Sequence, residues 1–273
     1  MGTAILQGLL DKQPSNEGPK VTYSAYVRSE DSMQRLRKAL GQHADKVDTT
    51  CEDITNVARE ADVVILGVPP DQLYPLLKND GLVDALRNKS IVSLLAGISC
   101  SAILYALSGS KSQDQASQKY HITRIVPTMG AEKADSVTLF ASSPPAGQEQ
   151  LQVCRWLCDQ LGSIVDVEER AMNAAQGAGA ATNALTFLAV DAIVDASVAE
   201  GLARPAALQL AAQSIRSAAS LLSSGYTPES MKASMSLPGA ITINALLQLE
   251  REGVRSGISG GIRHAIKYTN DMS

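Results

Sequence analysis

No run of lysine or arginine occurs in the 273 residues, and the formal net charge is -4. A nucleic-acid surface needs a concentrated positive field, so that class of partner is excluded and a small-molecule partner is expected. The four cysteines, Cys51, Cys100, Cys154 and Cys158, are too few and too scattered for a disulfide framework. No C-x-x-C spacing suggests a zinc site, and no metal is expected. Cys154 and Cys158 fall one helical turn apart beside Trp156 and Leu157, which predicts buried, reduced thiols and a cytoplasmic compartment. The N-terminus lacks a basic region ahead of its apolar stretch, so no signal peptide is read. The longest apolar region, "AAQGAGAATNALTFLAVDAIVDASVAEGLA", carries Asp191 and Asp195. It reads as an amphipathic helix rather than a membrane span, and the chain is expected to be soluble with no membrane partner.

What the chain does have is apolar mass, 45% of its residues, enough for one large core or two modest ones. Strand and helix patterns alternate in the first half. "KVTYSAYV" (Lys20 to Val27) predicts a strand, and "SEDSMQRLRKAL" a helix opened by Ser29. "DVVILGV" is a continuous apolar run of the kind buried on both faces of a sheet. Helical turns around "DQLYPLLKN", strand "KSIVSLLA", a helix from Ser99 and strand "HITRIV" follow. "SVTLFAS", "EQLQVCRWLCDQLG" and "SIVDV" then complete an α/β domain with a largely parallel sheet, set at residues 1–167. After about Glu168 strand patterns stop. Residues 168–273 predict an all-α domain: a long Ala-rich helix to Leu202, a second from Pro205 to Ser223, and two more after Pro238. Close-spaced Ala and Gly there favour tight helix packing, including between subunits.

The opening "MGTAILQGLL" looks like the helix that follows a strand and a G-x-G-x-x-G turn in a dinucleotide-binding unit, where backbone amides hold a pyrophosphate. Only the end of such a turn, Met1-Gly2, is present. Taken alone, the segment fits an ordinary N-terminal helix with small residues better, because a fragment of a glycine motif is weak evidence. Chemistry in a doubly wound sheet gathers at the carboxyl ends of the strands. After the first predicted strand stands Arg28-Ser29, where an acidic residue would hold ribose hydroxyls and an arginine suits a 2′-phosphate. This favours NADP. Arg28 as a solvated loop residue before a Ser29 helix cap accounts for the same letters. "GVPPDQ", with Val68 and Pro69, and "AGIS", with Ala96 and Gly97, occupy the next two strand ends. "RIVPTMGA" occupies a third.

In order and spacing, "MGTAILQGLL", "YVRSE", "ADVVILGVPP", "SLLAGIS", "RIVPTMGA", "ASVAEGLAR", "LPGAITINALLQLE" and "EGVRSGISGGIRHAI" resemble the pyrroline-5-carboxylate reductases over nearly the whole chain. Pro238-Gly239, Thr242 and Glu250-x-x-Gly253-Val254-Arg255 resemble the family signature. The resemblance implies a Rossmann-type domain followed by an all-α dimerisation domain, in a homodimer or larger homo-oligomer. It implies NAD(P)H-dependent reduction of a cyclic imine, 1-pyrroline-5-carboxylate, to L-proline. NADP(H) would lie over the strand ends, with Gly2 near the pyrophosphate, Arg28 and Ser29 at the 2′-phosphate, and Val68, Pro69, Ala96 and Gly97 beside the nicotinamide half. The Pro238 to Thr242 loop would meet the substrate, Thr242 hydrogen-bonding the ring nitrogen and the amides of Gly239 and Ala240 binding the carboxylate. Thr242 as a cap of the following helix is the competing reading. His43, His121 and His264 match no catalytic position and are expected to be core or surface residues.

The resemblance also implies a strand and a G-x-G-N-type turn just before Met1-Gly2, both missing from this chain. Translation from an internal methionine is the preferred explanation, a short form without cofactor binding the other. Further departures cluster near the expected substrate. Leu237 and Ala240 stand where S-P-G-G-x-T is common, with Ser236 able to compensate for the lost hydroxyl. "QGAGAAT" replaces S-G-S-G-P-A-Y, and Thr128 replaces an Asn. A paralogue reducing another cyclic imine in specialised metabolism, and a non-catalytic dimer, therefore remain beside proline synthesis.

Overall fold

The computed structural model describes residues 1–12, 21–109, 118–142 and 148–271. It divides into a sheet unit, Met1–Gln176 with Thr269–Ser273, and a helical unit, Gly177–Tyr268. The helical unit thus begins nine residues later than the predicted boundary at 168. The first turn of its long helix belongs with the sheet because Asn173 and Gln176 both accept hydrogen bonds from Arg124.

In the sheet unit, helix α1 (Gly2–Asp11) is followed by β1 (Tyr23–Tyr26), α2 (Glu30–Leu40), β2 (Val47–Thr50), α3 (Ile54–Glu60) and β3 (Val63–Leu66). Then come α4 (Leu73–Leu76), α5 (Asp80–Ala85), β4 (Ser90–Ser93), α6 (Cys100–Ser108), β5 (His121–Pro127), β6 (Ser136–Ser142), α7 (Gln148–Leu161) and β7 (Gly162–Asp166). The predicted first strand is shorter than Lys20 to Val27, and Lys20 itself lies outside the described residues. Strand β2 and helix α3 went unpredicted. "VDTT" is only four residues long with one apolar residue, although Val47 and Thr49 turn inward while Asp48 stays exposed.

Local chemistry explains where the helices start and stop. The Ser29 hydroxyl accepts from the amide of Ser32 to open α2, Glu30 and Asp31 occupy its positive first turn, and Gly41 at φ +53° ends it. Asp53 opens α3 and Ser99 opens α6 by the same device.

Five strands form one sheet in the order β3-β4-β5-β6-β7, and β1 pairs in parallel with β2 in a separate two-stranded sheet. Pairing is parallel from β3 to β5 and again between β6 and β7, as the largely parallel expectation has it, and the one exception is β5 with β6, which run antiparallel. Thr128 to Asp135 is too short a link for a parallel crossover, which needs a dozen residues or more. Among the described residues no pairing joins β1 to β3. Helix α1 serves both sheets: Ile5 and Leu9 pack with Val92, Ile125, Phe140 and Leu161, whereas Leu10 packs with Leu36, Leu40 and Val47. Its Gly8 is obligatory, since an added Cβ would lie 2.0 Å from the Ala131 carbonyl oxygen. Cys154 and Cys158 are free and buried in the core beneath α7, as the spacing predicted.

The helical unit contains most of α8 (Met172–Ala199), then α9 (Arg204–Ser223), α10 (Pro228–Met235), α11 (Ile241–Arg251) and most of α12 (Val254–Asp271). Helix α10, opened by a Thr227–Ser230 capping box, went unpredicted. Helices α8 and α12 approach closely at Gly177, where a Cβ would stand 2.8 Å from the Ile266 Cα. Among the described residues this unit has one buried apolar cluster, Val194, Ala207 and Ala211, packed by Val190. Phe187, Leu188, Leu208 and Leu210 are all more than half exposed. The helical stretch Glu169–Ala199 is long and apolar enough to cross a membrane, with mean hydropathy 1.4 in its most apolar window and 11% of that window buried.

Candidate active site

Parallel strands bring their carboxyl ends to one edge, and a side-chain contact shows that the two sheets share that edge. Arg28, just past β1, donates from Nη1 to Oε1 of Gln72, just past β3, at 3.3 Å. Helix α1 begins at Gly2 with no side-chain cap, and its first intrahelical bond runs from the Ile5 amide to the Met1 carbonyl at 3.0 Å. The amides of Gly2, Thr3 and Ala4 are thus the orphan donors of a helix start, and nothing lies within 4 Å of where a Gly2 Cβ would be. Such a start is a donor set for a phosphate group, and an arginine at a strand end is another.

Ser29 is both cap and candidate ligand. Its Oγ donates to the Ser32 hydroxyl at 3.0 Å, and Arg35 donates to that hydroxyl at 2.9 Å. Ser29, Ser32 and Arg35 recur every three residues along one helix face, a spacing readable in the sequence. Past β3, Pro69 leads into a single turn over Pro70–Gln72, and the half-buried Val68 packs on the core. Past β4, Ala96 and Gly97 form a turn in which Gly97 takes φ +73°. Past β5, the Thr128 hydroxyl accepts from the Val137 amide at 3.2 Å, so threonine at this position closes the turn into β6.

Two charged residues absent from the sequence reading stand near these loops. Arg124 in β5 is almost wholly buried, and Glu169 lies 3.5 Å from it. An arginine inside "HITRIV" was the available signal, because a charge within an apolar strand must be paired.

In the helical unit, Pro238 and Gly239 form a turn with Gly239 at φ +76°. The Ala240 amide donates to the Leu237 carbonyl at 3.0 Å and is therefore committed to that turn, which corrects the expectation that it is free for a carboxylate. The N-cap of α11 is Ala240, without a side-chain cap. Thr242 sits inside the first turn and does not cap it. Among the described residues its hydroxyl has no hydrogen-bond partner. It lines a cavity of about 400 Å³ with Ser236, Met231, Met235 and Leu246. The Ser236 hydroxyl donates to the Lys232 carbonyl at 2.7 Å. Leu237 is 65% exposed and Ile241 86%, so apolar side chains flank the turn on both sides. Beyond α11, Arg255 donates from Nε to both Glu250 carboxylate oxygens at 3.0 and 3.1 Å across Gly253. This fork holds the Glu250 carboxyl below its usual range. His43 is paired with Asp11 at 2.7 Å.

A curated relative from Lophium arboricola, named pyrroline-5-carboxylate reductase, is 31% identical over 290 aligned positions covering all of this chain and 90% of the relative. The chain belongs to the pyrroline-5-carboxylate reductase family. Residues 169–272 match the family model for pyrroline-5-carboxylate reductase dimerisation, and residues 1–97 match a model described as NADP oxidoreductase, coenzyme F420-dependent. A solved 1-pyrroline-5-carboxylate reductase from Streptococcus pyogenes superposes with a TM-score of 0.79 at 25% identity, over 99% of this chain and 95% of that one. The pyrroline carboxylate reductase of Plasmodium falciparum, solved with NADP bound, has the same fold, with a TM-score of 0.80 at 18% identity over 100% and 94% of the chains. The dimerisation match takes in the whole of the apolar stretch Glu169–Ala199.

Proposed function

We propose that this chain is a cytoplasmic enzyme that reduces 1-pyrroline-5-carboxylate to L-proline with NADPH. Relatedness over the full chain length carries the reading. The residues fit the cofactor: uncapped amides at Gly2 to Ala4 suit a pyrophosphate, Arg28 and Ser29 suit a 2′-phosphate, and the small residues Ala96 and Gly97 let a flat ring approach the backbone. When bound, the nicotinamide supplies a hydride. The protonated ring C=N accepts it at carbon and becomes the amine, so the chain's own groups need only align the ring, hold the carboxylate and exclude water. No strong base is required. Thr242 is assigned to the ring nitrogen, and the orphan amides at the start of α11, with that of Gly239, to the carboxylate. In the helical unit, the apolar residues left exposed are assigned to a homodimer.

A second reading rests on Leu237 and Ala240, which put an apolar side chain and an extra methyl at the carboxylate turn. On that reading the preferred imine differs from pyrroline-5-carboxylate in its substituents. One assay separates the two: NADPH oxidation over a panel of cyclic imines, with each amine product identified by chiral chromatography. The highest kcat/KM on pyrroline-5-carboxylate, with L-proline formed, supports proline synthesis. A preference for another imine supports the second reading. Absence of both turnover and NADPH binding would leave a non-catalytic dimer.

A further inference from the structure

We propose that Glu169, held by Arg124, is a positioning residue that pins the Ala96–Ser99 turn; this rests on the reading of that turn as the nicotinamide platform. The turn holds itself weakly. Its start is fixed by the Leu94 amide, which donates to the Leu66 carbonyl at 3.1 Å, but within it the bond from the Ile98 amide to the Leu95 carbonyl is 3.4 Å long. Gly97 at φ +73° adds no stiffness. The far end is the start of α6, where the Ser99 hydroxyl satisfies the Ala102 amide and leaves that of Cys100 an orphan. Glu169, 69 residues away, accepts from the Cys100 amide at 3.0 Å through Oε1. A carboxylate there also meets the positive end of the helix.

Arg124 fixes that carboxylate. Its side chain is 3% exposed, and Nη1 reaches Oε1 of Glu169 at 3.5 Å. Nη2 donates to Asn173 at 3.1 Å and to Gln176 at 3.5 Å, so one guanidinium plane gathers the residues around the start of α8. Nε is buried without a partner among the described residues, leaving the two Nη groups to carry the pairing. The Cys100 thiol, buried and 3.7 Å from the Glu169 carboxylate, is pushed up to about 12 by burial first and by that carboxylate second. Removing the carboxylate frees the first turn of α6, and with it the turn that precedes it.

The test uses the full-length protein with Glu169→Leu, which removes the acceptor, Glu169→Asp, and the double variant Arg124→Met/Glu169→Leu, which leaves no charge unpaired in the core if the single change fails to fold. Hydrogen exchange without cofactor reads the amides of residues 98–102, and fluorescence titration reads NADPH affinity. Exchange in residues 98–102 should rise in Glu169→Leu and in the double variant while the amides of β4 stay protected. NADPH affinity should fall about tenfold to a hundredfold, the scale of a small misplacement of a binding surface. Glu169→Asp, which keeps the charge, should recover part of both. A folded Glu169→Leu protein with unchanged exchange at 98–102 and unchanged NADPH affinity would overturn the proposal, as would a fall in melting temperature with neither local effect. If the unsubstituted chain binds no NADPH, the cofactor reading fails, while the exchange measurement still decides whether Glu169 pins the turn.

Discussion

The two units use apolar residues in opposite ways. In the sheet unit Leu73, Leu86, Ile91, Ile103 and Ile122 have no exposed surface at all. The buried core of the helical unit, among the described residues, amounts to a valine and two alanines, while Leu188 and Leu208 face outward. One unit is stabilised by its own chain. The other displays a surface that a second copy must cover, because an apolar area of that kind is costly in water.

The most forceful way to break this contrast is a charge on the displayed face. Leu188→Glu should weaken the dimer by roughly a hundredfold or more. Each copy loses about 1.5 to 3 kcal/mol of apolar burial, twofold symmetry counts that loss twice, and each 1.4 kcal/mol is tenfold. Light scattering at assay concentration checks it, and an undisturbed dimer would show that α8 is displayed for another reason. Next in size is Thr242→Val. Because Ala240 rather than Thr242 caps α11, the substitution should leave the melting temperature in place. Turnover should fall about ten- to a hundredfold, the worth of a hydrogen bond to a charged group. Lost stability with normal turnover would return Thr242 to a structural role.

Gly8→Ala sharpens the comparison from the sheet side. With the Ala131 carbonyl 2.0 Å from the new Cβ, α1 has to shift, at about 1 to 3 kcal/mol in a chemical denaturation experiment. Gly179, in α8 with nothing within 4 Å, should instead accept alanine with a gain of up to about 1 kcal/mol in the isolated helix. A dimer weakened by Gly179→Ala would place that glycine in the subunit contact. Arg28→Ala is expected to have the smallest effect, about tenfold on NADPH affinity and little on NADH, since Gln72 already takes one of its donors. Equal losses for the two cofactors would remove Arg28 from the 2′-phosphate.

Particular residues show why some of this was legible in the sequence. "VVIL" reads as a strand because four apolar residues in a row suit a sheet covered on both faces, and Ser29 and Ser99 announce helices because their hydroxyls cap them. The loops at the candidate site follow from those elements. The direction of β6 was not legible, since an alternating "SVTLFAS" looks the same parallel or antiparallel. The partner of Arg124 was not legible either: an arginine within an apolar strand signals that some pairing is needed, but Glu169, 45 residues on, passes for an ordinary charge. The Ala240 amide misled for a simpler reason: the resemblance assigned it to a carboxylate, and only the bond to Leu237 shows it is taken.

Helix α1 leaves the ribosome first among the described elements, yet Ile5 and Leu9 find their neighbours at Val92, Ile125, Phe140 and Leu161. At roughly 5 to 20 residues per second, about 8 to 30 seconds separate the synthesis of Ile5 from that of Leu161. Leu10 can meet Leu36, Leu40 and Val47 early in that interval, but the Ile5–Leu9 face is covered only piece by piece as Val92, Ile125, Phe140 and Leu161 are made. The long reach of α1 across the sequence therefore makes the completion of its docking a late step of vectorial folding.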